Sequence, residues 1–161
     1  MPGGRDEISL GPLRDSDLES IVTWRYGGEY TLYDLSAGDR ATFTDPANEY
    51  LAIRRRDDLV GYVCLGTEAR VAGMTGDPGL IDLGVGIRPD LTGQGQSRWL
   101  MPAILSALDR RLGTVTFRAV IKDWNERAQR AAEHAGFRPT GTHENDAGSW
   151  MLLERRAGQT A

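Results

Sequence analysis

Apolar positions along the 161-residue chain recur with two periods, every second residue in some stretches and every third or fourth in others. The first marks strands with one buried face and the second marks amphipathic helices. Ile8 to Leu13 predicts a short first strand. Asp15-Ser16-Asp17 supplies N-cap chemistry for a helix carrying Leu18, Ile21, Val22 and Trp24 on one face. From Arg25 to Asn48 the pattern loosens. Tyr26, Tyr30, Tyr33 and Phe43 are scattered among Gly27, Gly28, Gly38 and Pro46, with a short helix or two expected, around Thr31 to Leu35. Glu49 to Arg55 and Leu59 to Leu65 flank the charged turn Arg56-Asp57-Asp58 and predict a hairpin. After a loop from Thr67 to Gly79, Leu80 to Ile87 reads as a strand. Ile81, Leu83, Val85 and Ile87 lie on one face; Leu80, Asp82, Gly84 and Gly86 lie on the other.

Gln96 to Leu112 carries Trp99, Leu100, Ala103, Ile104, Ala107 and Leu108 at helical spacing. Pro102 is awkward inside it, since an interior proline removes a hydrogen bond and costs ~3 kcal/mol if unrelieved. Val115 to Ile121 predicts another strand and Asn125 to Ala135 a helix, with Gly136 as its stop. Phe137 to His143 and Ser149 to Glu154 form a closing hairpin about a turn at Glu144 to Gly148, and the tail from Arg156 reads as loose. The pattern is that of one mixed α/β (α+β) domain over residues 1–161.

The junction between the fourth strand and the long helix is chemically the most pointed stretch. Its turn is Thr92-Gly93-Gln94-Gly95-Gln96-Ser97. Two glycines allow a tight bend and close backbone approach, and a helix N-terminus offers unpaired N–H groups and a positive dipole end. Together these bind phosphate without a basic side chain. Glycines can equally serve turn geometry alone. A P-loop would need Gly-Lys-Ser/Thr, and a dinucleotide fingerprint would need glycine where Arg98 stands.

Ile87-x-Pro89-x-x-x-Gly93-x-Gly95-x-Ser97 resembles the acetyl-coenzyme A motif of the GNAT superfamily of N-acetyltransferases. The family's usual Arg or Gln is Thr92 here and its closing Gly or Ala is Ser97. Because that loop acts through backbone N–H groups, neither departure forbids phosphate binding. Val120-x-x-x-x-Asn125-x-Arg127-Ala128, ending in Gly136-Phe137, resembles the second signature, but Ala132 occupies the position of its tyrosine.

The resemblance implies a mixed sheet of six or seven strands, helices on both faces and a splay between two central strands. It implies acetyl-coenzyme A as co-substrate, with no metal. The donor would be held by Val85, Ile87, Thr92, Gly93, Gln94, Gly95, Gln96, Ser97 and Asn125. An amine acceptor would lie against Tyr26, Tyr30 and Tyr33, because the segment after the first helix walls the acceptor pocket in that fold. The Val85 N–H maps to the oxyanion donor, and Asn125 can also serve as a helix N-cap. Asp82, an acid in an apolar strand, is the candidate general base; a structural carboxylate is the alternative. A thiol of pKa ~8.5 leaves tolerably without the tyrosine.

Bulk properties narrow the alternatives. With 40% apolar and 26% charged residues, the chain has the balance of an ordinary globular domain and not of a disordered one. A net charge of −4 and the absence of a basic run speak against nucleic acid. Lys122 is the single lysine, a compositional bias. The lone Cys64 excludes an internal disulfide, suits a reducing compartment and falls in the apolar run Val60 to Leu65, where a core role is expected. Without a signal peptide or an apolar run of membrane length, the expectation is a cytoplasmic protein with no membrane partner. His134 and His143 with Cys64 give no metal spacing, and no G-x-S-x-G elbow is present. A homodimer is compatible with this reading. Two function classes follow: acetyl transfer to an amine, or a non-catalytic acyl-coenzyme A sensor or partner-binding module, which Ala132 favours.

Overall fold

A computed structural model describes residues 7–93 and 95–157. Its elements in chain order are β1 (Ile8–Gly11), α1 (Asp15–Ile21), α2 (Arg40–Thr44), β2 (Glu49–Arg55), β3 (Asp58–Leu65), β4 (Ile81–Ile87), α3 (Ser97–Leu112), β5 (Thr116–Lys122), α4 (Glu126–His134), β6 (Arg138–Asn145) and β7 (Gly148–Arg156). Short 3-10 helices cover Gly28–Tyr33, Ala37–Asp39, Gly66–Ala69 and Pro89–Leu91. The seven strands form one sheet in the order β1-β2-β3-β4-β5-β7-β6. Every neighbouring pair is antiparallel except β4–β5. This is the seven-stranded mixed sheet with a central splay that the resemblance implied.

Strand alternation sorts the side chains into two cores. Ile53, Val63, Leu83 and Phe117 point to one face and pack under Leu100, Ile104 and Leu108 of α3 and Ala132 and Ala135 of α4. Tyr50, Leu59 and Tyr62 point to the other, where Leu18 and Ile21 of α1 meet Trp24 and Phe43. Asp17 and Arg54, both buried, tie α1 to β2 through a 2.9 Å hydrogen bond from Arg54 Nη1. Asp17 also accepts from the Arg14 N–H at 2.7 Å. The acid expected to cap α1 from in front therefore sits in its first turn and reaches back.

Three local outcomes sharpen the expectation. The loose segment holds α2 as well as 3-10 turns, because Phe43 finds a core partner in Tyr50, 4.4 Å between ring centroids. The closing turn is tighter than Glu144 to Gly148, since pairing runs to Asn145 opposite Gly148. Pro102 lies inside α3 without ending it. It falls in the second turn, so the carbonyl that loses its partner is that of the exposed Arg98, where water can serve instead. Among the described residues no helix is long and apolar enough to cross a membrane.

Candidate active site

The two parallel strands pair for only two residues, Ile81 with Phe117 and Asp82 with Arg118. Beyond that point β5 stays bonded to β7 while β4 stays bonded to β3, and the sheet opens between them. A cavity of about 460 Å³ fills the gap, in the range of small-molecule sites. One wall is the β4 run Leu83-Gly84-Val85-Gly86-Ile87; the opposite wall is Ala119-Val120-Ile121 of β5.

Strand pairing decides which β4 backbone groups face this gap. The Arg88 N–H donates to the Val60 carbonyl at 2.9 Å, so Arg88 and Val60 form a hydrogen-bonded pair. Bonding alternates along an antiparallel ladder, which turns the Gly84 and Gly86 backbones toward β3 and those of Val85 and Ile87 toward the unpaired edge. The Tyr26 hydroxyl donates to the Ile87 carbonyl there at 2.7 Å. The Val85 N–H is thus aimed into the cleft from a strand edge with no neighbouring strand to receive it.

Gly86 has a steric reason. A Cβ at that position would stand 2.3 Å from the Tyr62 ring, and Tyr62 is backed by Trp24 at 6.2 Å and Phe43 at 5.1 Å. Gly86→Ala is expected to lower stability by about 1–3 kcal/mol through overpacking. A denaturant melt with an unchanged midpoint would contradict it.

The Gly93 to Gly95 loop follows β4 through the short 3-10 helix Pro89–Leu91. Gly93 and Gly95 hold φ of 71° and 75°, the left-handed region that disfavours other residues. Gln96 is the N-cap of α3, whose first turn carries no acid while its last turn carries Arg110 and Arg111. An anion at its N-terminus therefore meets an uncompensated positive dipole end. Thr92 lines the cavity and spends its hydroxyl on the Pro89 carbonyl at 2.7 Å. Gln94 and the side chain of Ser97 lie outside the described residues.

Arg127 joins this loop from α4. Its Nη1 lies where a Cβ at Gly93 would approach to 2.9 Å, and its guanidinium sits 4.0 Å over the Tyr30 ring. Motif matching places Arg127 beside Asn125 but gives it no role; only the packing of α4 brings its charge to the loop. Asn125 is the N-cap of α4, accepting from the Ala128 N–H at 3.1 Å through Oδ1, while its Nδ2 donates to the Tyr33 hydroxyl at 3.1 Å. Both ends of this buried amide are engaged, so α4 and the aromatic segment are locked together.

Tyr26, Tyr30 and Tyr33 all line the cavity, with Leu32, Leu35 and Tyr62 beside them. Trp124 supports the tyrosines from behind, 5.7 Å from Tyr30 and 6.5 Å from Tyr33. Burial, and then the Asp34 carboxylate, push the Tyr26 phenol up to about 12. Burial likewise raises Tyr33 and Tyr62. These phenols stay neutral at physiological pH. Leu32, Leu35 and Tyr62 escaped the sequence reading, because a 3-10 turn and the irregular link after it have neither strand nor helix periodicity and Tyr62 reads as an ordinary strand residue.

Asp82 is placed elsewhere. It points to the face opposite Leu83, is 2% exposed and does not line the cavity. Arg118 Nε donates to it at 2.6 Å and Arg70 Nε at 2.7 Å. A buried carboxylate held by two guanidinium groups ties the strands and loop that carry them together. Cys64 is buried opposite Gly84 in the sheet, its thiol pushed up to about 12 by burial and then by the charge of Glu68, which fits a core role. His143 bonds the Ala72 carbonyl at 2.9 Å and does not line the cavity. Among the described residues no group of three His, Cys, Asp or Glu side chains could hold a metal ion.

A family model described as the acetyltransferase (GNAT) family matches residues 16–137. The chain belongs to that family. Solved structures share the fold. The aminoglycoside acetyltransferase AAC(6')-Ib, in complex with coenzyme A and kanamycin, is 18% identical with a TM-score of 0.69, over 93% of this chain and 95% of its own. Salmonella typhimurium yncA, with its cofactor acetyl-CoA, is 15% identical with a TM-score of 0.60, over 96% of each chain. The ribosomal-protein-S18-alanine N-acetyltransferase of Escherichia coli is 13% identical with a TM-score of 0.61, over 96% and 97%. A search of curated proteins finds no match.

Proposed function

We propose that this protein binds acetyl-coenzyme A in the β4–β5 splay and transfers its acetyl group to a primary amine. The observation that carries this reading is the Val85 backbone aimed into the splay beside the Gly93–Gly95 loop. Family membership and the bound coenzyme of yncA and AAC(6')-Ib support it. In this reading the loop N–H groups, the α3 dipole and Arg127 hold the diphosphate, and the pantetheine arm runs along Val85 and Ile87 past Asn125. The amine nitrogen attacks the thioester carbonyl, and the Val85 N–H receives the developing oxyanion. Positioning of the two reactants supplies much of the acceleration.

Tyr33 stands closest to the role that Ala132 leaves vacant. Its hydroxyl accepts from Asn125, so its own hydrogen is free to be donated to the departing sulfur. Departure is undemanding in any case for a thiol of pKa ~8.5.

Acetyl-coenzyme A and a panel of amines are incubated with the protein and released thiol is followed. Thiol release that tracks amide formation supports transfer; tight coenzyme binding without turnover across the panel favours the sensor module, which Ala132 suits. A pH profile adds a sharper expectation. No Asp, Glu or His side chain is among the described lining residues, so an amine of pKa ~10 loses its proton to solvent before it reacts. kcat/KM is expected to rise about tenfold per pH unit from neutrality toward the amine's own pKa. A plateau near neutral pH would place a base in the site.

A further inference from the structure

The acceptor side of the cavity differs from its coenzyme side in chemistry. Its wall is Tyr26, Tyr30, Leu32, Tyr33, Leu35 and Tyr62, and no carboxylate is among the described lining residues. Two acids close to the tyrosines are committed elsewhere. Asp34 accepts from the Tyr26 N–H at 2.8 Å, and Glu68 accepts from the Tyr50 hydroxyl at 3.2 Å; neither lines the cavity. The lining does hold one permanent charge, the Arg127 guanidinium over Tyr30.

A second observation is independent of the lining chemistry. Leu32 is 51% exposed and stands alone among the described residues as an exposed large hydrophobic side chain. It lies on the 3-10 turn Gly28–Tyr33 and lines the cavity. Isolated exposed leucines are common on any surface, but this one continues a wall of tyrosine rings into solvent. An uncovered apolar residue at a cavity wall gains from an apolar ligand and gains nothing from a hydrated one.

From these we infer that the acceptor side takes a primary amine carried on an apolar aryl body, of the 2-arylethylamine type, and disfavours polyamines and aminoglycosides. This rests on the acetyl-transfer reading above for its chemistry, and on the wall alone for its binding. A polycation would bring several ammonium groups to a wall of rings and leucines with no carboxylate among the described lining residues to pair them. A single amine can leave its nitrogen at the thioester while its ring lies against Leu32 and the tyrosines, whose π faces also tolerate one ammonium. In the transfer a C–N bond forms and the C–S bond breaks. The electron pair leaves on sulfur, nitrogen gives up one proton, sulfur gains one, and the products are the amide and free coenzyme A thiol.

The test uses the full chain with 2-phenylethylamine, spermidine and kanamycin. Binding of each amine to the coenzyme A-saturated protein is measured by calorimetry, and thiol release from acetyl-coenzyme A is measured in parallel. Phenylethylamine is expected to bind, and to show a kcat/KM, at least about tenfold above both polycations, in line with one to two apolar contacts. Leu32→Glu is expected to weaken phenylethylamine by about tenfold and to narrow or reverse the gap to spermidine. Its unfolding temperature should match wild type, because the side chain is exposed. Equal or better binding of spermidine or kanamycin to wild type overturns the inference, as does a Leu32→Glu variant that leaves phenylethylamine unaffected. Phenylethylamine binding that depends on Leu32, without thiol release, supports this site and sinks the transfer reading instead.

Discussion

Asp82→Asn is expected to cost about 3 kcal/mol of stability while leaving turnover per folded molecule within a few-fold of wild type. The carboxylate is 2% exposed and receives Arg118 and Arg70 at 2.6 and 2.7 Å. An amide leaves two guanidinium groups facing a neutral partner in a buried site, and breaking such an arrangement typically costs 3–5 kcal/mol. Arg70 keeps a quarter of its side chain exposed, so water relieves part of the penalty and the lower figure applies. For a chain of this length that is roughly 6–12 °C in Tm. Thermal melts and steady-state rates well below the transition separate the two effects. A loss of turnover on the order of 10²–10⁴-fold with an unchanged melt is what a general base would give, and it would return Asp82 to the reaction.

Gly93→Val is expected to weaken acetyl-coenzyme A by about 10- to 100-fold with little change in melting temperature. Gly93 sits at φ 71°, and a Cβ there would press to 2.9 Å of the Arg127 guanidinium, which Tyr30 holds from below at 4.0 Å. A β-branched residue held in that region costs about 1–3 kcal/mol. The exposed loop relaxes instead, and the preorganised anion site is lost. Gly95 offers an internal comparison. It has nearly the same φ, 75°, but a Cβ there meets nothing within 4 Å, so Gly95→Ala carries backbone strain alone and should lose less than tenfold in affinity. Calorimetric titration of both variants decides it; equal affinities for wild type and Gly93→Val would remove the loop from the coenzyme site.

Much of this was readable from the chain. Period-two runs located β2, β3 and β4 within a residue, since each has a buried face that alternation must respect. Gly93, Gly95 and Asn125 stood out because each has a conformational or capping duty that few other residues can perform. Asn125 indeed caps α4. The 3-10 wall had no such signature. Leu32 and Leu35 follow no period, and Arg127 looked like one of many arginines. Asp82 was visible as an anomaly, an acid in an apolar strand, but an anomaly of that kind has two explanations. Arg70, 12 residues earlier in the chain, and Arg118, 36 residues later, bind its carboxylate and favour the structural one.

The sequence by itself determined the order of strands and helices, the family and the place of the loop at the head of α3. All of these rest on local spacing, which the backbone enforces over a few residues. Tertiary structure alone decided where β4 and β5 part company, and therefore which way the Val85 N–H faces. It also decided that Asp82 is clamped behind the sheet, and that tyrosines from a Gly-rich turn meet Asn125 and Arg127 across the cleft. Those outcomes depend on groups far apart in sequence that share one small volume, where burial makes each polar atom find a partner.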